Sequence, residues 1–223
     1  TFRGLWIGDY WEKEISYNGA LDWAIRYYVG HFNYWKSFDK TPHVLVVPNK
    51  SFFASGFGRA TNCLYPSSTI YNAMTQPSVY DAFYNFFGSA HIFSCYKLFF
   101  GSYDDTNNKI ISVTYVNRAL DLMTVRMLEG KTIKDYSRPY SVAFSSTNYN
   151  DKNYHWRDFD LLDDGQLALF KHNPDLKKIG SDYWLQEVAW GDKTSFAYTS
   201  TSGDIGLSKD GGKSVRPYGC IKA

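Results

Sequence analysis

The sequence predicts an α+β fold with mixed and antiparallel sheets, two main helices and long irregular loops. Three observations favour this class. Residues near the start of the chain alternate between apolar and polar, two central segments carry apolar residues at helical spacing, and the last part returns to short aromatic and β-branched runs between turns. No linker rich in Pro, Gly or Ser divides the 223 residues, so we expect a single domain over residues 1–223.

The first elements are predicted to form a hairpin. Residues 20–29 alternate with period two, which is typical of a half-buried strand. The preceding Asn18-Gly19 favours the positive φ angles of a tight hairpin turn, so residues 5–17 are expected to pair with that strand. Residues 43–47 are apolar and β-branched up to Pro48, which predicts a further strand that is buried on both faces.

The middle of the chain is predicted to contain the helices. Residues 67–69 can cap a helix whose apolar stripe restarts after Pro77 and ends at Gly88. Asn117 is expected to cap a second helix that ends at Gly130. Residues expected on the apolar faces are Ile70, Met74, Val79, Phe83, Phe86, Phe87, Leu120, Met123, Met127 and Leu128. Residues 91–100 and 109–116, between the helices, have the composition of strands.

The last third of the chain combines a long irregular segment with predicted strands. Residues 131–164 mix aromatic, amide and charged side chains with little periodicity. Long loops inside compact domains are more often functional than decorative, so this segment is the first place to expect a binding site. Strands are predicted at 183–189, 195–200, 204–208 and 214–221, with a turn at 201–203.

The composition is polar and aromatic at the same time. Phe, Trp and Tyr make up 19% of the chain, although the mean hydropathy is −0.40. Disorder is excluded because disordered chains have few aromatic residues and a strong charge imbalance, whereas this chain has a formal net charge of +2. No apolar run approaches the roughly 18 residues of a membrane-spanning helix. The basic residues are scattered, which argues against a nucleic-acid partner.

The sequence lacks the common motifs for catalysis and for metal binding. The sequence has no nucleophile elbow, phosphate-binding loop, dinucleotide motif or HExxH motif, so we expect a binding protein that is not an enzyme and has no cofactor. Cys63, Cys95 and Cys220 form no CxxC pair and are expected to be buried thiols. The acidic segment 158–164 leaves calcium binding and carboxylate-based glycoside hydrolysis open, beside a solvated turn, although the EF-hand pattern is not met.

Aromatic and amide side chains in irregular segments are the candidate ligand-binding groups. Tyr and Trp offer a flat apolar face with a hydrogen-bonding edge, and Asn, Asp and Lys add polar contacts. That combination suits a sugar or a protein epitope, and packing of the rings beneath their own loops is the alternative. The residues predicted to bind ligand are Tyr149, Asn153, Tyr154, His155, Trp156, Trp190, Asp192 and Lys193.

Short motifs in a fixed order extend over nearly the whole chain. They are GLWIGDY at 4–10, DWAI at 22–25, HVLVVP at 43–48, LALF at 167–170, DYWL at 182–185 and SVRPYGCI at 214–221. In this order they resemble the C-type-lectin-like domains of phage and prophage tail proteins of Gram-positive bacteria. Gln186 stands where that family usually has arginine, and the calcium–sugar signatures of animal C-type lectins do not occur.

The resemblance implies a C-type-lectin-like fold in the C-terminal fragment of a longer tail protein, located on the virion tail outside the cell. It implies a receptor-binding domain for host attachment, as a homotrimer. Its partner would be a bacterial surface polysaccharide or a teichoic acid, which Lys193 and Arg157 would attract, and neither nucleic acid nor membrane insertion is implied. Residues that recur in the family are expected to determine the fold and not to contact ligand: Trp184, Leu185, Val215, Arg216 and Pro217.

Two alternatives stay open beside the glycan-binding prediction. The same fold and the same aromatic loops would suit a display domain that binds a surface protein. The carboxylates of segment 158–164 would suit a glycan depolymerase.

Overall fold

The computed structural model describes residues 2, 4–17, 20–36, 40–58, 65, 68–104, 109–130, 165–188, 195–209 and 211–222. The strands in these residues are β1 (Tyr10–Tyr17), β2 (Ala20–Phe32), β3 (His43–Pro48), β4 (Phe53–Ser55), β5 (Cys95–Asp104), β6 (Lys109–Arg118), β7 (Leu120–Leu122), β8 (Tyr183–Val188), β9 (Ser195–Thr199), β10 (Ile205–Lys209), β11 (Lys213–Val215) and β12 (Pro217–Lys222). The helices are α1 (Thr69–Ala73), α2 (Pro77–Phe87), α3 (Val125–Glu129) and α4 (Ala168–His172), with 3₁₀ turns at Ser89–His91 and Pro174–Lys177.

Two five-stranded sheets organise the described part of the chain. Their strand orders are β1-β2-β3-β12-β7 and β10-β9-β8-β11-β4, and β5 and β6 form a separate two-stranded ribbon. Among the described strand pairs only β8 and β11 run parallel. The protein is therefore a mixed α+β structure with much sheet and few helices, which confirms the predicted class. Of the two main helices expected, the first is present as α1 and α2, and α2 has eleven residues.

The predicted N-terminal hairpin is confirmed, but its first strand is shorter than expected. β1 and β2 are antiparallel, with Tyr10 opposite Tyr28 and Tyr17 opposite Ala20. Residues 5–9 do not belong to the strand because Gly8 has a φ of +93°, a left-handed conformation that a regular strand does not accommodate. This segment forms a turn that precedes β1.

β3 divides the hydrophobic core into two parts. All six of its residues are buried, as the uniformly apolar sequence predicted. Because side chains alternate along a strand, Val44 and Val46 pack in one cluster with Phe83 and Trp184. Leu45 and Val47 pack in the other cluster, which lies on the opposite face of the sheet. Cys220 also lies in this second cluster and is buried, as predicted. The side chains of Cys63 and Cys95 lie outside the described part.

Helices α1 and α2 cover one face of the first sheet. Ser68 caps α1 by accepting the Tyr71 N–H at 3.0 Å, and α2 ends at Gly88, as predicted. Phe83 of α2 lies directly over Gly219 of β12, where an added Cβ would stand 2.2 Å from the ring. Gly219 is therefore required by close packing between helix and sheet. Among the described residues, no helix is long and apolar enough to cross a membrane.

The helix predicted from Asn117 to Gly130 is wrong in its first half. β6 continues to Arg118, and Leu120–Leu122 forms β7, which pairs with β12. The apolar spacing fits either structure, and pairing with a distant strand overrides the local helical pattern. The helix begins only after Thr124, whose hydroxyl accepts the Met127 N–H at 3.1 Å, and it ends at Gly130 as predicted.

Two further predicted strands differ from the structure. Residues 214–221, predicted as one strand, are divided at Arg216 into β11 of the second sheet and β12 of the first. Residues 91–100 become a strand only at Cys95, because Ser89–His91 forms a 3₁₀ turn. The residues expected to determine the fold are all buried: Trp184, Leu185, Val215, Arg216 and Pro217.

Candidate functional site

The residues predicted to bind ligand lie outside the described part of the chain, in segments 131–164 and 189–194. They are Tyr149, Asn153, Tyr154, His155, Trp156, Trp190, Asp192 and Lys193. Arg157 and the acidic segment 158–164 lie there as well, so the calcium and hydrolysis alternatives stay predictions too.

The described residues that flank these two segments are in contact with each other. Segment 131–164 follows α3 and precedes α4, and the Leu167 N–H donates to Met127 O at 2.8 Å. Segment 189–194 connects β8 with β9. The Glu187 carboxylate of β8 accepts the N–H of Val125, the first residue of α3, at 2.7 Å. The two predicted binding segments therefore start from adjoining elements.

Large apolar side chains are exposed at the start of the chain. Trp6 is 74% exposed and Tyr10 is 49% exposed. Asp9 accepts the backbone N–H of Trp6, Arg26 lies over the Tyr10 ring, and Glu12 accepts from Arg26. We call this group the Trp6 surface: Trp6, Asp9, Tyr10, Glu12 and Arg26. Exposure of a tryptophan and a tyrosine four residues apart in the sequence is informative because large aromatic rings normally contribute to cores and interfaces.

The turn from Trp6 to Asp9 is fixed by hydrogen bonds. The Asp9 N–H donates to Trp6 O at 3.1 Å, and the Trp6 N–H donates to Asp9 Oδ2 at 2.8 Å. Gly8 supplies the positive φ that the third position of a type II turn requires. The turn is joined to β2 because the Gly8 N–H donates to Val29 O and the Val29 N–H donates to Asp9 O. The backbone that carries Trp6 is therefore ordered before any ligand binds, which lowers the entropy lost on binding.

The outer face of β1 and β2 continues this surface. Tyr10 and Glu12 lie on the same face, opposite Tyr28 and Arg26. The Arg26 guanidinium lies 4.9 Å from the centre of the Tyr10 ring, and its Nε donates to Glu12. The hydrogen bond to Glu12 raises the pKa of Arg26 above its ordinary value. A flat aromatic ring thus lies beside a planar pair of charged groups that can exchange hydrogen bonds with a ligand.

The inner face of β1 packs against α2, so one face is left for a ligand. Trp11 meets Phe87 edge to face, with ring centres 5.7 Å apart, and Lys13 Nζ donates to Asn85 O at 3.2 Å. A cleft of about 330 Å³ lies at the turn, lined by Leu5, Gly8, Asp9, Tyr10 and Trp11. That volume is at the lower end of small-molecule sites, which occupy about 300 to 1,000 Å³.

The Trp6 surface offers stacking and hydrogen bonding. Among the described residues, no group of three or more His, Cys, Asp or Glu side chains is placed to hold a metal ion. The Trp6 surface was not predicted from the sequence, because residues 5–17 were expected to form one strand. The signal that identifies it is the tetrapeptide Trp-Ile-Gly-Asp at 6–9, in which Gly in the third position predicts a type II turn.

Comparisons of the chain with protein-family models, with curated proteins and with solved structures found no match. The function therefore has to be inferred from the residues of this chain and from their contacts.

Proposed function

We propose that this chain is the receptor-binding domain of a phage tail or tail-like particle. The domain would attach the particle to a glycan on the bacterial surface. In this proposal the fold is C-type-lectin-like, and the domain acts on the virion tail, outside the cell, without catalysis and without a cofactor. It would form part of a longer tail protein that assembles as a homotrimer. The observation that carries the binding function is the exposure of two large aromatic side chains, Trp6 and Tyr10, with Trp6 on a turn that hydrogen bonds hold in place.

The chemistry of the Trp6 surface suits a sugar. A pyranose ring presents C–H groups on one face and hydroxyl groups around its edge. The indole of Trp6 and the phenol of Tyr10 can cover the C–H face, while Asp9, Glu12 and Arg26 can exchange hydrogen bonds with hydroxyl groups. Trp156 and Trp190, in the segments predicted from sequence, would extend the binding site or form a second one.

The ordered motifs support the phage-tail part of the proposal. Segments 43–48, 167–170, 182–185 and 214–221 resemble the tail-protein family, and they contribute buried residues to the clusters on both sides of β3. Val44 and Trp184 pack in one cluster, and Leu45, Phe170 and Leu185 pack in the other. Residues that maintain a shared core are those expected to recur among proteins of the same fold.

Substitution of the exposed rings tests the proposal on cells. We expect Trp6→Ala to weaken binding of the purified chain to Gram-positive cells about fivefold or more, because a ring that stacks on the ligand contributes roughly 1 to 3 kcal/mol. Trp6→Phe, which keeps an aromatic face, should retain most of the binding. Trp156→Ala and Trp190→Ala test the segments predicted from sequence in the same assay. The measurement is flow cytometry of cells with labelled protein, beside the melting temperature of each variant.

The outcomes separate the sites from one another. Unchanged binding for all three alanine variants, at unchanged melting temperature, would reject both the Trp6 surface and the predicted segments. Loss of binding in Trp156→Ala or Trp190→Ala alone would move the site to those segments. Release of new reducing ends from a surface polysaccharide would favour the depolymerase alternative.

A further inference from the structure

We infer that the Trp6 surface binds an uncharged pyranose and not the phosphate backbone of a teichoic acid. The inference depends on the proposed glycan-binding function and specifies the class of ligand for this one surface. Three observations carry it: the charges of the described residues on the outer face of β1 and β2, the pairing of Arg26 with Glu12, and the shape of the exposed aromatic groups.

Carboxylates dominate the described charges on this face. Asp9 at the turn and Glu12 and Glu14 on β1 are all exposed. Along β2, Ala24, Arg26 and Tyr28 lie opposite Glu14, Glu12 and Tyr10, so Arg26 is the only cation among these paired positions. Lys13 belongs to the opposite face of β1, where its ammonium group donates to Asn85 O.

The guanidinium of Arg26 already has a carboxylate partner. Its Nε donates to Glu12, and its carbon lies over the Tyr10 ring. A phosphate that bound the Nη atoms of Arg26 would lie beside the Glu12 carboxylate, which the Nε of the same guanidinium holds in place. Like charges about 4 Å apart repel by roughly 1 kcal/mol even at the dielectric constant of water. A polyanion is therefore disfavoured at this surface.

An uncharged sugar is not repelled by these carboxylates and can form hydrogen bonds with them. Its hydroxyl groups can donate to the carboxylates of Asp9, Glu12 and Glu14, and hydrogen bonds to ionised acceptors are the stronger kind. Asp9 Oδ2 accepts the Trp6 N–H, and an ionised carboxylate can accept several further hydrogen bonds. The negative charge that repels phosphate thus favours a neutral hydroxyl donor.

The exposed aromatic groups select a ring over a flexible chain. A pyranose has a rigid apolar face of C–H groups that can lie flat on an indole or a phenol. A poly(glycerol phosphate) chain is acyclic and offers no such face. The cleft of about 330 Å³ at the turn shares Asp9 and Tyr10 with the Trp6 surface. It has room for about eleven waters at roughly 30 Å³ each, which is more than one sugar ring needs.

Nuclear magnetic resonance of the indole N–H groups tests the inference on the full chain. The chain has 7 Trp, and the Trp6 signal is identified by its loss in Trp6→Phe. The probes are neutral methyl pyranosides of glucose, galactose and N-acetylglucosamine, and poly(glycerol phosphate) that carries no sugar. We expect the Trp6 signal to shift with at least one pyranoside and not with the phosphate polymer. Tyr10→Ala should weaken the pyranoside response several-fold, and added salt should leave that response unchanged.

Each result decides for or against the inference. A Trp6 signal that responds to poly(glycerol phosphate) and loses the response in salt would overturn it, and glycan attachment as such would stand. A Trp6 signal that responds to none of the pyranosides, at concentrations up to their solubility, would also overturn it. The proposed function fails separately, if removal of cell-surface glycan leaves binding to cells intact.

Discussion

Arg216→Lys is expected to lower the free energy of unfolding by about 3 to 5 kcal/mol, the range found when a buried charged group loses its partners. Arg216 is fully buried. Its Nε donates to Pro48 O at 2.8 Å, and its Nη atoms donate to Lys177 O at 3.1 Å and Leu176 O at 2.9 Å. A lysine has one nitrogen and cannot reach acceptors that spread around a planar fork.

The position of Arg216 explains why the effect should be large. It lies between β11 and β12, where the chain passes from the second sheet to the first, and it also donates to the Tyr183 hydroxyl at 3.3 Å. Burial lowers the pKa of the guanidinium because it disfavours the charged form. The neutral acceptors around Arg216 therefore stabilise a charge that has lost its hydration. The whole stability of a domain is about 5 to 15 kcal/mol.

Urea denaturation measures this effect, with Arg26→Lys as the matched control. Arg26 is about 42% exposed at its side chain, and exposed ion pairs contribute about 0 to 1 kcal/mol. The account predicts a large loss for Arg216→Lys and a small one for Arg26→Lys. Equal midpoints for Arg216→Lys and the unchanged protein would show that the buried network adds little to stability.

The free energy of unfolding is expected to fall as the pH rises from about 5 to 8. Glu187 Oε2 is buried and has no hydrogen-bond partner in the described structure, while Oε1 accepts the Val125 N–H. Burial raises the pKa of Glu187 to about 8. The folded protein therefore keeps this proton across a range of pH in which the unfolded chain, with a pKa of about 4.3, has lost it.

The sign follows from proton linkage. Between these two pKa values the folded state binds more protons than the unfolded state, so each pH unit lowers the free energy of unfolding by about 1.4 kcal/mol. The contribution is complete below about pH 4, is lost progressively up to about pH 8, and amounts to a few kcal/mol in total. Glu187→Gln keeps the acceptor for the Val125 N–H and removes the titrating proton.

Denaturation midpoints from pH 5 to pH 8 test this prediction. Glu187→Gln should show a flatter pH dependence and should be more stable than the unchanged protein at pH 8. The exposed Glu14→Gln serves as the control and should keep the original slope. If Glu187→Gln retained the full slope, the pH dependence would have to arise from another group.

The strands and the helix that were predicted correctly are those whose buried residues can be recognised from the spacing of apolar residues within the element itself. β2 and β3 follow from alternation and from a continuous apolar run, and α2 follows from aromatic residues at helical spacing and a final glycine. β7 could not be recognised because its three residues form a strand only when β12 lies beside them. The division of residues 214–221 at Arg216 likewise depends on which sheet each half joins.

The Trp6 surface could be predicted from the sequence less well than the fold. The sequence shows that the chain is rich in aromatic residues, but exposure of a ring depends on what packs over it. Trp11 is covered by Phe87 of α2, whereas Trp6, five residues earlier, is exposed. A turn signal at residues 6–9 would have separated these two tryptophans, while the segments chosen for their irregular composition lie outside the described residues.

Attachment to a glycan is the central claim, and treatment of the cell surface tests it most directly. Bacterial cells that bind the labelled chain are treated with periodate, which cleaves vicinal diols of sugars, or with a protease, and binding is measured again. We predict that periodate abolishes binding and that protease leaves it unchanged. Binding that survives periodate and disappears after protease would contradict the claim and would identify a surface protein as the receptor.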